Sequence, residues 1–279
     1  MIQHSYDGKP TVFLIPTPIG NMEDITYRAV RILGEVDVIF AEDTRVTKQL
    51  LNYLGINKKL VSNHDYNEVG NIDKVIDYLE NDKMVAIVTD RGTPLISDPG
   101  FKLVEVASKK GFNVVSLPGP TALIPALTMS GIEAQPFTFV GFLSSKNSQR
   151  KEQMKYYSNN KETMIFYESP HRIKTMLTDM LEIFGNRKIA LVREISKKFE
   201  EVRRGDISAI VDSFEEIKGE IVLVVEGNKE EALYDDITIN DHVESYIKKG
   251  YTSMDAVKMV AKERGISKNL VYKEYHRGE

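Results

Sequence analysis

Five short apolar runs, at residues 11–15, 36–41, 60–62, 84–89 and 113–117, punctuate the first part of the chain, and amphipathic stretches at 25–33, 43–54, 68–79 and 101–109 separate them. Runs of this length read as buried strands, and apolar residues recurring every three to four positions read as helices. Strand and helix in alternation predict a parallel sheet covered on both faces, so residues 1–117 form an N-terminal α/β lobe. Pro118-Gly119-Pro120 then interrupts the pattern, because two prolines around a glycine cannot continue a strand and make a stiff crossing. Residues 118–227 read as a second α/β lobe. Its strands are expected at 137–142, 163–167, 188–193 and 220–226, with a shorter one at 201–204, and its helices at 121–130, 148–157, 171–184 and 207–213. Residues 228–279 are a polar, acidic linker (228–239) followed by three short helical patterns at 241–249, 253–264 and 267–276, with Gly250 and Gly265 between them and Ser267 as an N-cap. That spacing is helix-turn-helix-like, and its third helix would present Lys268, Asn269, Tyr272, Lys273 and Tyr275. A three-helix knob that caps the protein or supports a dimer fits the same pattern.

The chemistry gathers where strands end. The run at 84–88 empties into Thr89-Asp90-Arg91-Gly92-Thr93-Pro94-Leu95-Ile96-Ser97-Asp98-Pro99-Gly100, a loop rich in carboxylates, hydroxyls, glycine and proline. Pro16-Thr17-Pro18-Ile19-Gly20-Asn21, Glu42-Asp43-Thr44-Arg45 and Pro118-Gly119-Pro120-Thr121-Ala122 punctuate three more strand exits. Ligand sites of open α/β sheets lie at the carboxyl ends of the strands, so these loops are expected to converge on one cleft.

Composition narrows what the cleft can hold. The chain has no cysteine, which removes disulfides, thiolate metal sites and cysteine nucleophiles, and its five histidines are scattered, so no metal is expected. No apolar run approaches the ~20 residues of a membrane helix, and the first residues lack the layout of a signal peptide; a cytoplasmic protein without membrane contact is expected. Charge is uneven: residues 143–204 carry 14 Lys or Arg against 8 Asp or Glu, an excess of +6 in a chain whose net charge is −4. Such a segment suits a polyanionic partner, and equally a lysine-rich solvated surface.

Neither G-x-x-x-x-G-K-[ST] nor a G-x-G-x-x-G after the first strand is present. Prolines in the first loop remove N–H donors that a phosphate would use, and Asp90 and Asp98 would repel one. A zwitterionic or cationic ligand fits better, and S-adenosylmethionine is one. Together with His64-Asp65-Tyr66-Asn67-Glu68 and Phe166-Tyr167-Glu168-Ser169-Pro170-His171-Arg172, the loops quoted above make the chain resemble the tetrapyrrole methylase superfamily from about residue 11 to residue 226. More narrowly it resembles the branch that 2′-O-methylates a cytidine in the decoding centre of 16S rRNA within the small ribosomal subunit. The resemblance implies two α/β lobes with S-adenosylmethionine in the cleft between them, and a homodimer.

Carried over by position, Ile15 and Pro16 would line the adenosyl pocket, while Asp90, Gly92, Thr93 and Ile96 would hold the methionyl part. Thr121 and Ala122 would approach from the hinge, Phe166 and Tyr167 from the second lobe, and Glu220 and Ile221 from its last strand. Arg91 departs from the family's usual small residue; beside a sulfonium its guanidinium must point outward or pair with Asp90 or Asp98. A ribose 2′-hydroxyl is a weak nucleophile that needs alignment and a proton acceptor. Glu42, Asp43, Asp98, Glu168 and His171 are candidates, with Asp43 and Glu42 preferred because Arg45 shares their exit and could orient a carboxylate or hold a phosphate. Asp43 equally reads as the N-cap of the helix that follows. Phosphate contacts are expected from Lys146, Arg150, Lys151, Arg193, Lys197 and Lys198. Two other readings stay open: a tetrapyrrole C-methyltransferase on the same fold, and a nucleic-acid-binding regulator acting through the C-terminal helices.

Overall fold

In the computed structural model, which describes all residues except 1, 6, 64–67, 99, 230–236, 265 and 277–279, β1 (Thr11–Leu14), β2 (Val38–Ala41) and β4 (Val85–Val88) are buried at every position. Strands apolar on both faces must be covered on both faces. With β3 (Lys59–Ser62) and β5 (Asn113–Ser116) they form an all-parallel sheet of order β3-β2-β4-β1-β5. Helices α1 (Tyr27–Glu35) and α2 (Thr44–Tyr53) seal one face through Leu33 and Leu51. The other face is sealed by α3 (Glu68–Glu80) and α4 (Phe101–Lys109) through Val75, Leu79 and Leu103. Thr26 caps α1, its side chain accepting from the Ala29 amide at 3.1 Å, a contact of about 0.5–2 kcal/mol.

The second sheet is mixed, of order β6-β7-β10-β8-β9. β6 (Phe137–Phe142) and β7 (Thr163–Glu168) are parallel, whereas β10 (Ile221–Val225) runs antiparallel to β7 and β8 (Lys188–Arg193), and β9 (Glu201–Asp206) antiparallel to β8. The expected short strand at 201–204 is therefore a full edge strand, held by six pairings to β8. One face packs on α6 (Asn147–Tyr157), α7 (Ile173–Phe184) and α8 (Ile207–Asp212), through residues such as Met154, Met176 and Ile207. Across the other face lie α5 (Leu123–Met129) and Ile19 from the first loop, joined in one apolar cluster with Ile165, Val192 and Val222. Two α/β sheets thus share the unit Met1–Gly227, and the crevice between them opens on that second face.

Asn228–Glu279 is a separate compact unit. Its helices α9 (Ile239–Lys248), α10 (Ser253–Arg264) and α11 (Lys268–Tyr275) share a small core of Val243, Val257, Val260 and Val271. Ser267 caps α11, accepting from the Leu270 amide at 3.3 Å. Lys268, Asn269, Tyr272 and Lys273 are exposed as expected, but Tyr275 is not presented: it packs on the core and its hydroxyl donates to Glu244 at 2.6 Å. Most of the linker, and the motif at 64–67, lie outside the described residues. No helix among the described residues is long and apolar enough to cross a membrane.

Candidate active site

Three loops interlock at the carboxyl ends of the first sheet. Thr17, just past β1, and Gly92, just past β4, exchange two backbone hydrogen bonds of 2.9 Å each. The Thr17 hydroxyl also donates to the Thr89 carbonyl at 3.0 Å, and the Thr93 hydroxyl donates to the Pro120 carbonyl at 3.0 Å, which ties the hinge into the pair. Gly119 closes the set by lying flat on Pro16: a Cβ at position 119 would stand 2.7 Å from the Pro16 Cβ. Only a glycine permits that approach.

Above this floor opens a cavity of about 370 Å³, a volume typical of a small-molecule site. Gly92, Thr93 and Ile96 reach it from the β4 loop, Thr121 and Ala122 from the hinge, and Tyr167, Glu220 and Ile221 from the second sheet. Four residues expected there lie elsewhere. Ile15 is fully buried in the core of the first sheet, and Pro16 packs on Gly119. The Asp90 carboxylate turns away to accept from the Asp43 amide at 3.0 Å. Phe166 points to the opposite face of the second sheet, against Phe184, because consecutive strand residues alternate in direction and Tyr167 takes the cavity side. Ile19, from the first loop, lines the cavity, as do Phe142 and Ile195, which the sequence did not single out. Nothing local marks them, since their place depends on how the two sheets meet.

The acidic residues at the β2 exit form a cluster beside the cavity rather than in its wall. Glu42 accepts from the Thr89 hydroxyl at 2.6 Å and the Asp90 amide at 3.1 Å. Asp43 caps α2 through the Arg45 amide at 2.8 Å and receives the Arg45 guanidinium at 2.6 Å. Those Arg45 hydrogen bonds hold the Asp43 carboxyl down to about 2, which makes it a poor proton acceptor. None of the preferred trio Asp43, Glu42 and Arg45 is among the residues that line the cavity. Burial, reinforced by the neighbouring Glu42 and Asp43 charges, pushes the Asp90 carboxyl up.

Acidic residues among the cavity lining are Asp98, Glu168 and Glu220, with one arginine, Arg91; the Glu168 carboxylate itself is buried on the Phe166 side of its strand. Glu168 accepts from the Ser169 amide at 2.7 Å and from Arg172 at 3.0 Å. Glu220 pairs with Arg91 and, at 2.8 Å, with Lys197, which also holds Glu194 at 2.8 Å. Arg91 is thus paired across the cleft with Glu220. Burial pushes the Tyr167 hydroxyl up to about 12, the Asp98 charge adding to the effect. Because the folded value lies above the unfolded one, this group contributes stability fully below pH ~10 and loses it as the pH rises toward 12. Subtracting the alkaline absorbance titration of Tyr167→Phe from that of the wild type is expected to leave one phenol with its midpoint near pH 12; a midpoint near 10 would show the ring to be solvated.

Within the basic segment Arg150, Lys151, Arg172, Arg193, Lys197 and Arg203 are held in ion pairs. Arg150 is buried against Asp179 at 2.6 Å, Lys151 pairs with Glu182 at 2.5 Å, and Arg193 and Arg203 share Glu201. Arg150 is thereby corrected from a surface phosphate contact to a core ion pair, whereas Lys151, Arg193 and Lys197 are partly exposed cations with acidic partners. Lys146 and Lys198 are exposed and form no ion pair among the described residues; Lys198 lies 5.8 Å over the exposed ring of Phe199. Lys198→Ala is expected to reduce the slope of log affinity for RNA against log salt by about 0.7, the increment of one single-strand phosphate. Lys197→Ala should leave that slope unchanged, and a shared loss would return Lys197 to the contact surface.

Comparison with known proteins gives consistent findings. A family model described as Tetrapyrrole (Corrin/Porphyrin) Methylases matches residues 11–211. Proteins named ribosomal RNA small subunit methyltransferase I are 45% identical in Halalkalibacterium halodurans and 44% in Bacillus subtilis, each over 98% of both chains. The protein of that name from Vibrio cholerae is 39% identical over 96% of this chain and 94% of its own. Among solved structures, uroporphyrin-III-C-methyltransferase from Thermus thermophilus superposes with a TM-score of 0.54 at 19% identity, over 78% of this chain and 92% of that one. Diphthine synthase superposes with a TM-score of 0.59 at 13% identity, over 78% and 90%. At such identities these two structures speak for the fold.

Proposed function

The chain belongs to the tetrapyrrole (corrin/porphyrin) methylase family, and on that premise we propose that it methylates small-subunit ribosomal RNA from S-adenosylmethionine, at the 2′-hydroxyl of a cytidine in the decoding centre. What carries the reading is identity of 44–45% along essentially the whole chain, helical tail included, to relatives named for that RNA. Likeness to the uroporphyrin enzyme stops at the fold.

The residues of the cavity fit the cofactor. When bound, S-adenosylmethionine supplies a methyl group made electrophilic by its sulfonium. Asp98 favours a cation there, and the pairing of Arg91 with Glu220 offsets the one guanidinium of the lining. Ile221 and Val222 offer an apolar wall for a flat ring, Thr121 a hydroxyl for its sugar, and Gly92, Thr93 and Ile96 line the part left for the methionyl end. Little covalent work falls to the protein, so alignment of the acceptor hydroxyl is the main contribution asked of it. We place the proton acceptor at Asp98, where the β4 loop meets Tyr167. Lys146 and Lys198 would neutralise RNA phosphates flanking the acceptor. A cytoplasmic homodimer completes the reading.

The test is transfer of labelled methyl from S-adenosylmethionine to small ribosomal subunits lacking the modification, with the product mapped by alkaline cleavage. A 2′-O-methyl removes the nucleophile that cuts the next phosphodiester, so one gap in the ladder at a decoding-centre cytidine is the expected result. Cofactor binding without incorporation into subunits or naked RNA would overturn it and favour a tetrapyrrole substrate.

A further inference from the structure

β6 carries a bulge whose effect is to aim one aromatic ring at the cavity mouth. Phe139 pairs with Ile165 and, after the register shift, Gly141 pairs with Phe166 and Phe142 with Tyr167. In a regular strand Phe139 and Phe142 would face opposite sides; the extra residue, Val140, puts both on the side of Ile165 and Tyr167. The two rings flank Tyr167 edge-on, with centroids 5.1 and 5.4 Å away. Phe139 is packed into the apolar cluster beneath, but Phe142, which lines the cavity, is 58% exposed. The bulge itself rests on Gly141, whose φ of +74° suits glycine and whose Cβ would crowd the Ser97 hydroxyl at 3.2 Å. Four residues beyond Phe142, exposed Lys146 forms no ion pair among the described residues.

We infer that Phe142 is the platform on which the base of the acceptor nucleotide stacks, holding its ribose over the cavity; this rests on the reading of the site as a ribose methylase. Beyond its edge-on contact with Tyr167, the Phe142 ring is left open to water at the cavity mouth. A nucleobase supplies the flat partner its open face lacks, and stacking requires no matching hydrogen bonds, so one ring can seat the base while phosphate contacts fix the register.

Steady-state transfer to unmethylated small subunits tests this with Phe142→Leu, which keeps apolar volume, and Phe142→Trp, which restores a π-face. Leucine should raise the KM for the subunit by about 10-fold and tryptophan should return it to the wild-type value. The leucine effect should persist as salt is raised, because stacking releases no counterions, and the affinity for S-adenosylmethionine by calorimetry should be unchanged. An unaltered KM in Phe142→Leu, or a cofactor affinity that falls in step with it, would overturn the assignment and, in the second case, give the ring to the cofactor. Failure of the wild type itself to methylate RNA would instead remove the underlying reading.

Discussion

Gly119→Ala is expected to lower kcat/KM for methyl transfer by about 100-fold while the protein stays folded, since misplacement of a site by about 1 Å costs a factor of that size. The added methyl would sit 2.7 Å from the Pro16 Cβ, where ordinary contact begins at 3.4 Å, and the neighbour is a rigid proline ring rather than a flexible chain. Pro16 cannot retreat alone. It is followed by Thr17, which is bonded both ways to Gly92, and Gly92 leads into Thr93, which donates to Pro120 beside the substituted residue. The displacement therefore passes around all three loops of the cavity floor. Cofactor affinity by calorimetry and methyl transfer should fall together, with the melting temperature near that of the wild type because the sheet cores are untouched. Wild-type affinity in this variant would show that the floor yields without cost and that the hinge does not set the cavity.

The largest stability effect is expected from Asp179→Ala, a loss of about 3–5 kcal/mol in denaturant unfolding. Asp179 and Arg150 are both nearly inaccessible, 2.6 Å apart between α7 and α6, with Lys151 a second partner at 3.5 Å. Removing the carboxylate leaves a buried guanidinium without its counter-charge, which costs more than the intact pair contributes. The paired replacement Arg150→Met with Asp179→Leu should recover most of the loss, and its affinity for RNA should equal the wild type's. Reduced RNA affinity in the stable double variant would restore Arg150 to the contact surface where its sequence neighbours suggested it belonged.

These two sites illustrate unequal legibility. Pro118-Gly119-Pro120 stood out in the sequence because two prolines around a glycine restrict backbone whatever surrounds them, and the structure adds only what the glycine touches. Arg150 sits in a segment with a clear cationic excess, and the partner that cancels it is 29 residues away on another helix. Charge counted along a chain cannot reveal such pairing. The same limit applies to Asp43, legible equally as a base or a helix cap; in the fold it is the cap, with Arg45 folded back on it.

Through local periodicity and the stereochemistry of glycine and proline, the sequence by itself determined the order of strands and helices, the two α/β sheets, the helical tail and the loops that carry the chemistry. These depend on neighbours within a few positions. Tertiary structure alone decided which face each strand residue took, sending Tyr167 to the cavity and Phe166 to the core. It also decided which cations stayed unpaired, set Glu220 against Arg91 across the cleft, and through one bulge turned Phe142 toward the mouth. Register, burial and ion pairing join residues far apart in the chain, and their outcome follows from how the sheets pack rather than from any segment read alone.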